Sequence, residues 1–433
     1  MQRRVTRRTL LSTAFAAPSP RPNVLLLLAD SWRGQAMPAE DPNLQAPNLA
    51  RLMREGAVCT RAYTSYAVCC PARASLWTGL SPRDAGVTRN HSLLPLDRPT
   101  MSQAFRDAGY RTGYIGKWRL DGGENPGFVP PDRRRGFDYW AAFNVQHRQY
   151  GGVYFRDTAE PVPFRGFEPD EETDLALDFL RAGGRDPFFL CVSWVAPHAP
   201  YTPPDGFAPG PRTIRLRPNI PEPAAAAARA DLAGYYGLCR AVDRNIGRLL
   251  AALGRSGAAR DTIVVFTSDH GHMLHSHGHD AIDMPYEEAV RIPLVFRFPR
   301  RLGRRRVGAP FSIMDLAPTL LSLCGLPPLK DSDGVDLRPA LAGGAPIRRD
   351  VIHAEGGAIE GVEWRMELRG SRKRVTDAGG DLTHEFDLAK DPYEVHNLHS
   401  ERKASVGFTL TARREGATAA ATATAPSTQA TIA

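Results

Sequence analysis

The sequence predicts an α/β fold built on a doubly wound, mostly parallel sheet. Three observations carry that expectation. Short apolar runs of strand length recur along the chain, at residues 24–29, 188–194 and 262–267. Amphipathic segments alternate with them, the longest marked by Leu232, Tyr236, Cys239, Val242, Ile246, Leu249 and Leu250 at helical spacing. Several of the runs stop at a charged residue or a histidine, and in such sheets ligands bind beyond the carboxyl ends of the strands.

The bulk composition bounds the rest. A chain of 433 residues, 42% of them hydrophobic, is long enough for one large core and a smaller appended unit. No run is long and apolar enough to span a bilayer, so no stable membrane insertion is expected. The formal net charge is +8. A basic surface can attract sulfated or phosphorylated polymers. No long basic run stands out inside the folded part, so the charge reads as solvated arginine-rich surface and not as a nucleic-acid site. The six cysteines show no metal-site spacing and are too sparse for a disulfide scaffold. Cys191 and Cys324 lie in apolar runs and read as core.

Taken in order, Arg3-Arg4 and Arg7-Arg8, followed by Ala14-Phe15-Ala16, have the form of a twin-arginine export leader over residues 1–17. That form predicts an exported protein, periplasmic or extracellular. A main domain is expected over residues 20–328. Its first strand, 24–29, ends at Asp30. Residues 47–55 read as a helix closed by Gly56. The strand at 111–116 ends at Lys117-Trp118-Arg119. Residues 126–165 are rich in Gly, Arg and aromatics and read as an irregular excursion, with His147 and Tyr150, that walls a pocket. A helix at 175–180 precedes the 188–194 strand, which ends near His198. Residues 203–223 are Pro-rich loop, and 232–250 form the long helix. The strand at 262–267 ends at Ser268-Asp269-His270, a further strand lies at 292–297, and 312–323 is helical. Beyond Pro327-Pro328 a smaller C-terminal α+β unit is expected over 329–400. The Ala- and Thr-rich tail, 401–433, reads as disordered.

The segment from Cys69 through Cys70-Pro71-Ala72-Arg73 organises the rest. Proline favours the first turn of a helix, which Gly79 then helps to end. This puts Cys69 just ahead of a helix N-terminus, where the backbone N–H groups favour an anion and a reactive thiol. Arg73, one turn in, can fold back toward the same spot. Asp30 and Asp269 offer hard carboxylate oxygens suited to Ca²⁺ or Mg²⁺, and a nitrogen ligand such as His270 extends the choice to Mn²⁺ or Zn²⁺.

Cys69-x-Pro71-x-Arg73 followed by Leu76-x-Thr78-Gly79 resembles the signature of the type I sulfatases, in the alkaline phosphatase superfamily. The resemblance implies the alkaline-phosphatase-like fold, a large mostly parallel sheet flanked by helices with a smaller C-terminal subdomain. It implies that a formylglycine-generating maturation enzyme oxidises Cys69 to the aldehyde formylglycine. It also implies a metal site of Asp30, Cys69, Asp269 and His270, expected to hold Ca²⁺ with Mg²⁺ or Mn²⁺ as alternatives. One hydroxyl of the hydrated aldehyde attacks sulfur, and the other then loses its proton and expels sulfate, regenerating the carbonyl. Arg73 and Lys117 would neutralise sulfate oxygens, and His198, in Pro197-His198-Ala199-Pro200, would contact the sulfate or the leaving oxygen. His277, in Ser276-His277-Gly278, takes a weaker substrate-contacting role, as do His147, Arg119 and Ser31.

Three positions depart from the family pattern. Ser31 stands where a second Asp or a Gln is usual, and Arg119 where His is usual. The lysine expected before Tyr286-Glu287-Glu288 is replaced near Ile282. The expected substrate is a sulfated small molecule or saccharide. Two alternatives follow from the same residues: a phosphonate monoester or phosphodiester hydrolase, and a weakened, sulfatase-like binder of sulfated ligands.

Overall fold

The computed structural model describes residues 21–400 except 185, 345–348, 358 and 360. The leader expected at 1–17 and the tail at 401–433 lie outside the described residues. An eight-stranded sheet forms the centre. Its strands run, from edge to edge, Arg305–Val307, Ala57–Cys59, Leu294–Arg297, Thr262–Ser268, Asn23–Asp30, Phe188–Pro197, Arg111–Lys117 and Tyr139–Phe143. The five strands from Thr262–Ser268 to Tyr139–Phe143 are mutually parallel, with Leu26 opposite both Cys191 and Val265. Leu294–Arg297 runs antiparallel beside them.

The first strand shows why an unbroken apolar run is needed. Val24, Leu26 and Leu28 pack on one face with Trp77, Phe105 and Leu320. Leu25, Leu27 and Ala29 pack on the other with Leu232, Tyr235 and Leu249 of the long helix, Ala225–Arg255. A strand covered on both faces gains from an apolar side chain at every position. A four-stranded antiparallel sheet, Ile352–Gly356, Trp364–Arg369, Arg372–Asp377 and Leu382–Asp387, follows toward the C-terminus. Among the described residues no helix is long and apolar enough to cross a membrane.

Several elements differ from the sequence expectation. Residues 126–165 are not wholly irregular: Tyr139–Phe143 is the edge strand of the main sheet. The helix expected at 175–180 spans Glu168–Ala182. Its first turn carries Glu168, Asp170 and Glu171, which suit the positive end of the helix dipole but carry no apolar period. The long helix likewise extends into the alanine run at 225–228. Cys69 is the first residue of the Cys69–Thr78 helix and not the residue before it, with Val68 in extended conformation as the cap.

Candidate active site

The parallel strands deliver their ends to one edge. Asp30 closes the first strand, Lys117 closes Arg111–Lys117, and Asp269 and His270 follow Thr262–Ser268. The Cys69–Thr78 helix brings Cys69 and Arg73 to the same place. Asp30, Arg73, Lys117, Asp269 and His270 are fully or almost fully buried. Gly116 makes the approach of Lys117 feasible. It has φ +95°, and a Cβ there would collide with the Ser193 carbonyl.

Two cations and two carboxylates interlock. Arg73 Nε donates to Asp269 Oδ2 at 2.9 Å, and Nη2 to Asp30 Oδ2 at 3.3 Å. Arg73 Nη1 donates to the Lys117 carbonyl at 2.7 Å and to Ser193 Oγ at 2.9 Å. Lys117 Nζ donates to Asp30 Oδ2, lies 3.0 Å from His147 Nε2, and is 3.6 Å from Cys69 Sγ. Ser193 had no signal in the sequence, because it sits within an apolar strand that reads as core.

The metal expectation can be tested on the donor set. One ligand atom each from Asp30, Cys69, Asp269 and His270 lies within 4.8 Å of all the others. His270 Nδ1 pairs with the Gly271 carbonyl at 2.8 Å, while Nε2 lies 3.2 Å from Cys69 Sγ. The Gly271 carbonyl accepts from Nδ1–H, so Nε2 is the atom that faces the site. Burial lowers the ring, but Asp269 and Cys69 raise it to about 10, so without a cation Nε2 carries a second proton toward Cys69. A bound cation would take the place of that proton on the Nε2 lone pair. Two carboxylates and one imidazole fit a divalent cation.

The field here is strong. Burial and the Asp30 carboxylate push the Cys69 thiol up, but Lys117 and His270 pull it down further, so it lies below its ordinary value. Burial likewise raises Asp30, yet Lys117, His198 and Arg73 hold it well below the usual carboxylate range.

His147 and His198 stack with ring centroids 4.2 Å apart and planes within 6°, and both are partly exposed, so they form the mouth of the site. Lys117 first, then burial, drives His147 down to about 2, and burial lowers His198. Between pH 6.5 and about 2 the unfolded chain therefore protonates His147 and the folded chain does not. The stability this histidine contributes is present above pH 6.5 and is lost as pH falls toward 2. His147→Gln should flatten the acid limb: its thermal midpoint should fall less than the wild type's between pH 7 and pH 4. Equal falls would show that His147 titrates normally.

The remaining candidates divide. Ser31 Oγ donates to Asp30 Oδ1 at 3.0 Å, and its backbone N–H to Asp269 Oδ1 at 3.2 Å, so it orients both carboxylates. Arg119 is buried two residues beyond Lys117. His277 is placed elsewhere: it stacks on Tyr286 at 3.9 Å and lies with Glu288 and Glu394 in a separate cluster. Ile282, at the position of the missing lysine, packs with Tyr66 and Val68, so an apolar side chain borders the residue before Cys69.

The chain is similar to sulfatases and, among solved structures, also to a phosphonate monoester hydrolase of Agrobacterium radiobacter, which superposes with a TM-score of 0.74 at 25% identity, covering 93% of this chain and 96% of that one. The sulfatase family model matches residues 22–326. The chain is 32% identical over 400 residues to an ulvan-active sulfatase of Formosa agariphila, covering 87% of this chain and 77% of that one. It is 26% identical over 477 residues to an N-acetylglucosamine-6-O-sulfatase of Bacteroides thetaiotaomicron, covering 87% and 82%. The solved structure of YidJ from Bacteroides fragilis superposes with a TM-score of 0.82 at 28% identity, covering 92% of this chain and 95% of that one. The match over most of the main sheet, with Cys69 at the strand ends beside two buried aspartates, establishes that this chain belongs to the sulfatase family.

Proposed function

We propose that this enzyme hydrolyses a sulfate ester on a saccharide, using formylglycine made from Cys69 and a divalent cation held by Asp30, Asp269 and His270. The observation that carries this is the position of Cys69 Sγ, 3.2 Å from His270 Nε2, 3.6 Å from Lys117 Nζ and 4.0 Å from Asp30 Oδ1. Together the aldehyde and the cation supply an oxygen nucleophile of lowered pKa. The cation we propose is Ca²⁺, on the strength of the two carboxylates. Export before action, and a separate enzyme to oxidise Cys69, belong to the same reading. The saccharide substrate rests on the sugar specificity in the name of the N-acetylglucosamine-6-O-sulfatase relative.

The chain's own groups divide the work. An ammonium has three donors. Lys117 commits one to Asp30 and one toward His147, and the third is available toward the reacting group at position 69. Arg73 is held on four acceptors and acts as a fixed positive charge behind the site. His198 Nδ1 donates to the Ala199 carbonyl at 2.6 Å, so in the neutral ring Nε2 carries the lone pair and is the atom that can accept a hydrogen bond or a proton beside the leaving oxygen. His147 and His198 are neutral near pH 7, so neither repels Lys117.

Two measurements test the reading. Mass spectrometry of the Cys69 peptide, from protein made with the maturation enzyme, should show the aldehyde. The matured protein should release inorganic sulfate from sulfated saccharides faster than it releases phosphonate from phosphonate monoesters. An unmodified thiol with no turnover would favour the binder reading, and faster phosphonate cleavage would replace the sulfate ester.

A further inference from the structure

Arg119 is a buried cation, and among the described residues no carboxylate forms an ion pair with it. Its residue is 3% exposed, and its Nε and Nη1 atoms are buried with no hydrogen-bond partner. The other two cations of the site, Arg73 and Lys117, are committed to Asp30 and Asp269. A guanidinium taken out of water without a carboxylate is costly.

The backbone fixes where it sits. Arg119 has φ +69°, a left-handed conformation that arginine rarely adopts. Its N–H donates to the Asn144 carbonyl at 2.9 Å. The Asn144 side chain in turn clamps the next residues, accepting from the Asp121 N–H at 3.1 Å and donating to the Asp121 and Gly122 carbonyls at 2.9 and 3.0 Å. The backbone after Arg119 pairs with the loop that follows exposed His91: the Leu94 N–H donates to the Leu120 carbonyl at 3.1 Å and the Gly122 N–H to the Ser92 carbonyl at 3.3 Å, and Cys70 Sγ lies 3.6 Å from that same Ser92 carbonyl. Arg119 thus stands between Lys117 of the catalytic cluster and a rim formed by the loop around His91.

We propose that Arg119 is a subsite for a second oxyanion, a carboxylate or a further sulfate, carried on the same saccharide as the sulfate ester that is cleaved. This rests on the sulfatase reading for the placing of the first sulfate. Its physical basis is charge: the reacting sulfate meets Lys117 and the cation site, and Arg119 is the cation left over. The substrate class is therefore a polyanionic saccharide and not a neutral sugar bearing one sulfate.

The test is binding by calorimetry to the metal-loaded full-length protein carrying Cys69→Ala, which cannot turn its ligand over. The probes are N-acetylglucosamine 6-sulfate and glucosamine N,6-disulfate, and a sulfated hexuronate against the matching sulfated hexose. With Arg119 in place, the extra anion in each pair should tighten binding about ten-fold or more. Arg119→Gln should erase that preference and leave the singly sulfated sugars within about two-fold, and Arg119→Lys should restore part of it. Equal weakening of every probe would assign Arg119 to the reacting sulfate and overturn the proposal, as would a preference that survives Arg119→Gln. Thermal melting supplies a second readout. Removing an uncompensated buried charge should leave the ligand-free protein as stable or make it more so, whereas a marked drop would make Arg119 a structural residue and overturn the subsite. Turnover by the wild type is read separately: no cleavage of any sulfate ester, with the Arg119-dependent preference intact, would overturn the reaction assigned above and leave the subsite standing.

Discussion

Cys69→Ala should abolish turnover of every sulfate ester, lowering kcat by at least about 10⁴-fold while leaving substrate affinity nearly unchanged. The asymmetry follows from the division of labour around residue 69. Arg73 and Lys117 are positioned by Asp30, Asp269, Ser193 and His147, none of which depends on the thiol. The charges proposed to meet the sulfate therefore survive when the proposed nucleophile is removed. Cys69→Ser gives a sharper outcome. A serine oxygen can take the sulfo group from the ester, but it has no second hydroxyl on the same carbon to lose a proton and break the C–O bond. That variant should release at most one equivalent of alcohol per active site and then stop. Rapid-quench measurement of alcohol and sulfate separates the outcomes, and continued turnover by either variant would remove residue 69 from the chemistry.

The part of this site legible in the sequence is the part set by the sheet. Asp30 and Asp269 follow apolar runs and Lys117 a short strand-length segment, and a parallel sheet carries such ends to one edge whatever their separation in sequence. Cys69 and Arg73 were legible because one short motif holds both on a single helix. Pairings between loops left no such trace. His147 and His198 stack across distant segments, and neither sequence says where its ring points. Ser276-His277-Gly278 offers a histidine beside glycine, but the backbone there turns it toward Tyr286 and Glu288, away from Cys69. The Tyr139–Phe143 strand was hidden for a different reason: an edge strand of five residues among glycines and arginines has too short a pattern to stand out. The uncommitted state of Arg119 is not a property of any single residue. It appears only when every nearby carboxylate has been assigned to another cation.

Asp30→Ala should have the largest effect on stability, a loss of about 3–5 kcal/mol in chelator-treated protein, together with loss of activity at any metal concentration. Asp30 accepts from both Lys117 Nζ and Arg73 Nη2, and all three side chains are 0% exposed. Without it, one carboxylate, Asp269, faces two buried cations, and Lys117 keeps only His147 and Cys69 as neighbours. The fold cannot relieve this by moving Lys117 into water, because the Arg73 guanidinium bonds the Lys117 carbonyl and the Gly116 turn fixes the strand end. Ser31→Ala is the matched control: it removes a hydrogen bond to the same carboxylate but no charge, and should cost only about 1 kcal/mol. Urea unfolding of the two variants and the wild type, with calcium titration of activity, measures both effects. An Asp30→Ala loss no greater than that of Ser31→Ala would mean that the buried cations are balanced by some group other than Asp30, and the electrostatic account of this centre would fail with it.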